Sequence, residues 1–230
     1  DIKFKIPEEI ENCRELDYSI YPNCDYSIQF FSRGCIRKCP FCLVNEKEGF
    51  IHSVTPHSLN PNGKHIEVLD NNFFANPHWR EAVDYLEATG QYIKFHGVDV
   101  RIMTDEMAQS LARLKMKESI HIAWDLPNVD ITKGLEILQR HISPNKVVCY
   151  VLIGFNSTFE QDLYRVRKLK EMKVKKPFVM IYRDYANPKP PTQQQKDFAR
   201  WVNRSQLFHT MDFEDYSPRK GFYCREYLKK

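Results

Sequence analysis

From Tyr26 to Tyr185 short apolar runs alternate with amphipathic stretches about six times. That rhythm restricts the fold to parallel strands joined by right-handed helical crossovers. YSIQFFS (Tyr26–Ser32), rich in aromatic and β-branched residues, reads as the first strand. HIEVLDNN (His65–Asn72), YIKFHGVDV (Tyr92–Val100) and SIHIAWD (Ser119–Asp125) follow as the second to fourth. KVVCYVLIGF (Lys146–Phe155) is nearly continuous in apolar residues, as expected of a strand covered on both faces. PFVMIYRDY (Pro177–Tyr185) is the sixth. Between them, Trp79, Val83 and Leu86 share one face of a helix over Asn76–Gly90, closed by Gly90. Thr104 caps a helix over Thr104–Lys115 that turns Met107, Leu111 and Leu114 inward. Ile131–Ile142 and Thr158–Lys173 are the next helices, the latter burying Leu163, Val166 and Leu169 behind a lysine-rich face.

An open doubly wound sheet and a full or partial (β/α) barrel both satisfy this order, and in both the chemistry belongs at the carboxyl ends of the strands. The expected organisation is an irregular lead-in over 1–25 and a core over 26–190. A final helix (Thr192–Asn203) and tail over 191–230 would pack on that core. The net charge of +4 permits an anionic partner without requiring one. No apolar run approaches the roughly 20 residues that span a bilayer and no signal peptide is visible, so a cytoplasmic protein without membrane contact is expected.

Seven cysteines, an odd and clustered set, argue for reduced thiols rather than a disulfide framework. Cys149 lies in the fifth apolar run and reads as a small buried residue; Cys13, Cys24 and Cys224 are spare thiols or extra ligands. Cys35, Cys39 and Cys42 stand apart, in a C-x3-C-x2-C spacing directly after the first strand. Three thiolates on one loop suit zinc or an iron–sulfur cluster. Arg33, Arg37 and Lys38 surround them and would favour thiolate over thiol. Zinc would need a fourth ligand, for which His52 and His57 are nearest, and the usual second cysteine pair is missing. A cluster held by three thiolates instead leaves one iron open to an outside ligand.

The triplet, with Phe41 just before its last cysteine and a β/α domain behind it, resembles the radical S-adenosylmethionine (SAM) superfamily. The loop phrasing is most similar to its methylthiotransferase and cobalamin-associated branch. The resemblance implies a partial (β/α)6 TIM-like barrel and a [4Fe–4S] cluster on Cys35, Cys39 and Cys42. It also implies reductive cleavage of SAM to a 5′-deoxyadenosyl radical that abstracts hydrogen from a substrate. A flavodoxin- or ferredoxin-like electron donor is implied as well. A nucleoside or RNA is slightly favoured as substrate, with a small metabolite or a peptide close behind. The chain opens at Asp1 rather than Met, so a processed or trimmed chain is expected, with room upstream for a cobalamin-type domain.

The resemblance further implies SAM contacts at the strand ends, beginning with Phe41 in the loop. Asp70, Asn71 and Asn72 stand where the family has a Gly-Gly-Glu-like segment, a departure that still offers acceptors for an ammonium group. An ordinary Asn-rich turn is the competing reading. Asp99 and Arg101 match a G-x-D-x-R segment, with Arg101 placed for the SAM carboxylate, or else form a plain surface pair. Asp125 would approach the ribose, while Trp124 beside it reads as core. Ile153, Gly154 and Phe155 would lie against adenine, the glycine allowing close approach. Tyr182, Arg183 and Tyr185 either contact the substrate or cap the barrel mouth. A second class of reading stands beside these: a zinc-stabilised nucleic-acid-binding module without catalysis, using Tyr182 and Tyr185 as stacking platforms.

Overall fold

The computed structural model describes residues 7–229. The first six residues of the expected lead-in and the last residue of the tail lie outside them. The remainder of the lead-in carries a short helix, α1 (Glu8–Glu11), and a single 3-10 turn at Tyr18–Ile20, capped by the Asp17 carboxylate. The chain divides into two compact units, Asp1–His121 with Thr132–Ile142, and Ile122–Ile131 with Ser143–Lys230.

In the first unit β1 (Tyr26–Gln29), β4 (His65–Val68) and β5 (Tyr92–Phe95) form a parallel sheet in the order β1–β4–β5. Ile66 pairs with Ile93 and Val68 with Phe95, so this face is buried and apolar across β4 and β5, while β1 adds the buried polar Ser27 and Gln29 to it. Phe73 lies 4.9 Å from Phe95 and 6.0 Å from Phe31, ring centre to ring centre, and Phe74 packs edge-on to Trp79 at 5.3 Å. Trp79 opens α3 (Trp79–Thr89), which buries Val83 and Leu86 and stops at Gly90 in the left-handed conformation. In α4 (Asp105–Arg113) the Thr104 hydroxyl accepts the Met107 N–H, the expected cap. α5 (Thr132–His141) packs against α4.

In the second unit β7 (Val147–Ile153) lies between β6 (Ile120–Ala123), at the boundary of the two units, and β8 (Lys176–Ile181). β7 and β8 run parallel from Val148 opposite Lys176 to Ile153 opposite Ile181. α6 (Phe159–Glu171) buries Leu163, Val166 and Leu169 and begins in a capping box at Thr158 and Gln161. α7 (Gln193–Asn203) begins in another, at Thr192 and Gln195. The tail is packed rather than loose, with Phe213, Tyr216 and Cys224 buried after α8 (Ser205–Thr210). Cys149 and Trp124 are buried, as their apolar surroundings predict.

All six expected strands occur, together with a pair absent from that reading: β2 (Ser32–Arg33) and β3 (His52–Ser53), joined antiparallel. The protein is therefore a mixed α/β fold with parallel sheets, and among the described residues no barrel closes. Several strands are shorter than the apolar runs suggest. The ladder of β1 ends at Gln29 because Asp70 captures the next backbone segment. β5 ends at Phe95 because the chain then passes against the turn after β4. A Cβ on Gly97 would sit 2.1 Å from the Asp70 carbonyl oxygen.

Candidate functional site

The three cysteines lie on one excursion from the first sheet, between β2 and β3. Pairing of Ser32 with Ser53 and Arg33 with His52 brings its two ends together, and the Cys35 N–H donates to the Gly49 carbonyl at 3.3 Å. Gly34, at φ 77°, starts the excursion in a conformation and a space that exclude a side chain: a Cβ would lie 2.5 Å from the Phe50 carbonyl oxygen. Inside it runs a one-turn helix, α2 (Val44–Lys47). The Asn45 side-chain amide donates to the Arg37 carbonyl, and the Cys42 N–H to the Cys39 carbonyl at 2.9 Å. Cys35, Cys39 and Phe41 are half-buried and Cys42 is exposed.

Around this loop the structure gathers the candidates of the first unit. Asp70 is buried, and its carboxylate accepts the Phe31 N–H at 3.1 Å and the Ser32 hydroxyl at 2.5 Å. It is a builder of the loop's base, and its oxygens are taken by the protein itself. Asn71 donates to Glu48 at 2.8 Å. Asn72, buried beside it, directs its amide N–H groups to Cys35 Sγ at 3.8 Å and to the Asp99 carboxylate at 3.3 Å. Its carbonyl oxygen Oδ1 is buried with no hydrogen-bond donor among the described residues. Asp99 forms a two-pronged pair with Arg101, Nε to Oδ1 at 2.6 Å and Nη2 to Oδ2 at 2.9 Å. It also takes Arg37 Nε at 3.0 Å. The pair expected from the sequence thus exists, but it is largely buried and ties the end of β5 to the cysteine loop.

The charges near the thiols differ from the simple count of neighbouring cations. Arg33 is engaged by Glu48 at 3.1 Å and stacks on Phe30, and Arg37 is engaged by Asp99. The cation whose charge bears on the Cys39 thiol is Arg101, which is itself held by Asp99. Burial pushes the Cys39 thiol above its ordinary value; Arg101 opposes this, and the adjacent Cys42 and Cys35 reinforce it. The Asp99 carboxyl, although penalised by burial, is held below the usual range by Arg101 and Arg37. Among the described residues no group of three His, Cys, Asp or Glu side chains is arranged to hold a metal ion.

The remaining candidates belong to the second unit. Asp125 accepts the Leu152 N–H at 3.2 Å, and Gly154 follows β7 at φ 75° with the Gln195 amide against it. Phe155 and Tyr182 meet edge-on at 4.8 Å, after the Tyr182 N–H has joined the Ile153 carbonyl. Arg183 and Tyr185 are exposed, Tyr185 by 88%. Sequence reasoning passed over Glu48 and Ser32, whose roles depend on partners 14 and 38 positions away. Nothing in their local spacing marks them.

No protein-family model matches the chain, and no curated protein matches it at a significant level. No helix among the described residues is long and apolar enough to cross a membrane.

Proposed function

We propose that the chain is a radical SAM enzyme built as a partial (β/α)6 barrel, with a [4Fe–4S] cluster held by Cys35, Cys39 and Cys42. The reading rests first on the resemblance of the C-x3-C-x2-C loop, which leaves β1 at the carboxyl end of a parallel sheet. The observation that carries it furthest is Asn72. One end of this buried side chain bonds the Cys35 sulfur, and the other presents an unfilled acceptor. A buried acceptor without a donor is costly, and an ammonium group bound beside the cluster would fill it. The donor set also suits a cluster, since the thiols are soft ligands and the Arg37 N–H and the Asn72 amide already donate to Cys35 Sγ.

When bound, cluster and SAM would supply reductive cleavage of the sulfonium and a carbon radical for hydrogen abstraction. The chain's own residues would do the holding. Asp99 fixes Arg101 and Arg37 in place, and Arg101 would offer a fixed positive charge to a carboxylate of SAM. Asn71 and Asn72 would face the amino group. Phe41 would flank the cluster. A nucleoside or RNA is favoured as that substrate by the loop phrasing and the net charge of +4, and a flavodoxin- or ferredoxin-like protein as the electron donor.

The test is anaerobic reconstitution with iron and sulfide, followed by SAM and dithionite. A brown protein with about four irons that releases 5′-deoxyadenosine supports the reading. A reconstituted protein with all thiols intact that releases none refutes it. A colourless protein carrying zinc would favour a structural metal site instead.

A further inference from the structure

We infer that Glu48 is a positioning residue that closes the cysteine loop and sets Cys35 against Asn72 before any cluster is bound. Glu48 stands near the far end of the loop, yet its carboxylate reaches back to where the loop begins. Oε2 accepts the Gly34 N–H at 2.9 Å, and Oε1 meets Arg33 Nη2 at 3.1 Å. Oε2 also accepts the Asn71 side-chain amide at 2.8 Å, on the turn that follows β4. One side chain therefore joins three separate pieces: the entry of the loop, its exit, and a strand end. Charge-assisted bonds of this kind are among the stronger ones in proteins, and here both partners of the ion pair are mostly shielded, Arg33 at 25% and Glu48 at 19% exposure.

The consequence for the thiols follows from adjacency. Asn71 is held by Glu48, and Asn72 is the residue that donates to Cys35 Sγ. The Gly34 N–H is held by the same carboxylate, and Gly34 precedes Cys35. Glu48 thus fixes both sides of the Cys35–Asn72 contact. Backbone pairing closes the loop in parallel, through β2 with β3 and Cys35 with Gly49. Closing a loop of this length costs entropy whether or not a ligand is present. A clasp inside the protein moves that cost from the moment of cluster binding to folding. The inference rests on the proposed function only in naming the loop as the cluster loop.

The experiment uses the full metal-free chain, comparing Glu48→Ala and Glu48→Gln with the native protein. Alkylation of each cysteine by iodoacetamide is followed by peptide mass spectrometry, and iron uptake is then measured after reconstitution. In Glu48→Ala, Cys35 is expected to react about tenfold faster, equal to about 1.4 kcal/mol of lost loop stability, with iron uptake reduced. Glu48→Gln should fall between, because Gln still accepts from the Gly34 N–H but offers Arg33 no charge. The buried thiols Cys149 and Cys224 report global folding. They should stay unreactive, and if the Ala variant exposes them, the Gln variant decides. Native rates at Cys35, Cys39 and Cys42 in the deciding variant would overturn the clasp even if the native chain takes up iron. Failure of the native chain to take up iron would sink the cluster reading and leave the alkylation result standing.

Discussion

Asp70, buried in the turn just past β4, accepts the Ser32 hydroxyl at 2.5 Å, so a side chain of that turn holds the segment that leaves β1. Burial pushes its carboxyl up from the ordinary 3.8 to about 6, against the bonds from Ser32 and Phe31 that favour the charged form. The folded chain therefore binds more protons than the unfolded chain between those two values. Stability falls as pH rises through that window and is flat above it. A rise from 3.8 to about 6 corresponds to up to about 3 kcal/mol. Asp70→Asn removes this limb. Its unfolding free energy in urea, compared with the native protein's at several pH values, should gain on the native by that amount between about pH 4 and 7. A difference independent of pH would contradict the assignment.

Gly34→Ala and Gly49→Ala separate crowding from backbone strain. Both glycines are left-handed, at φ 77° and 76°, but only at Gly34 would a Cβ strike backbone, 2.5 Å from the Phe50 carbonyl oxygen. Gly49→Ala should cost about 1–2 kcal/mol of stability, the strain alone. Gly34→Ala should cost at least about 1 kcal/mol more. Equal losses in urea unfolding would show that the loop entry yields freely.

Arg165 is buried without exposure and joins the Leu152 carbonyl at 2.8 Å and the Asp162 carboxylate at 2.6 Å, with a further bond to the Trp124 carbonyl. Arg165→Leu leaves Asp162 buried without its cation and should cost about 3–5 kcal/mol. The double variant with Asp162→Leu should recover part of that loss. A double variant as unstable as the sum of the single ones would show that the pair is not coupled.

Cys39→Ala should abolish cluster uptake and SAM cleavage, whereas Cys13→Ala and Cys24→Ala should leave both in place. Iron content and 5′-deoxyadenosine decide this, and a full cluster in the Cys39 variant would remove Cys39 from the ligand set.

Asn72→Leu deletes the buried acceptor beside Cys35. If that acceptor receives an ammonium group, SAM affinity should drop about tenfold or more. Calorimetry on the reconstituted protein measures it, and unchanged affinity would reject the contact.

What lies close together in the chain could be read from the sequence. The six strand positions follow from apolar runs. The helix start at Thr104 follows from a hydroxyl placed to accept an N–H three residues on, and the structure shows the same cap at Thr158 and Thr192. The C-x3-C-x2-C loop was legible for the same reason, because its three thiols stand in one short span. Strand ends were less so. Phe30, Phe31 and Ser32 look as strand-forming as their neighbours, but Asp70 and Asn76 take the Phe31 backbone away from the ladder.

The cations beside the cysteines were visible as neighbours, but which of them faces a thiol was not. Arg33 and Arg37 are drawn off by Glu48 and Asp99, and Arg101, more than 60 positions from Cys39 in the chain, is the cation whose charge favours that thiolate. Hydrogen bonds and ion pairs act over a few ångströms in space, without regard to separation along the chain. The sequence by itself therefore determined the element order and the grouping of three cysteines on one loop. Only the tertiary structure decided which carboxylate meets which cation, and with it the shape of the loop that carries the three thiols.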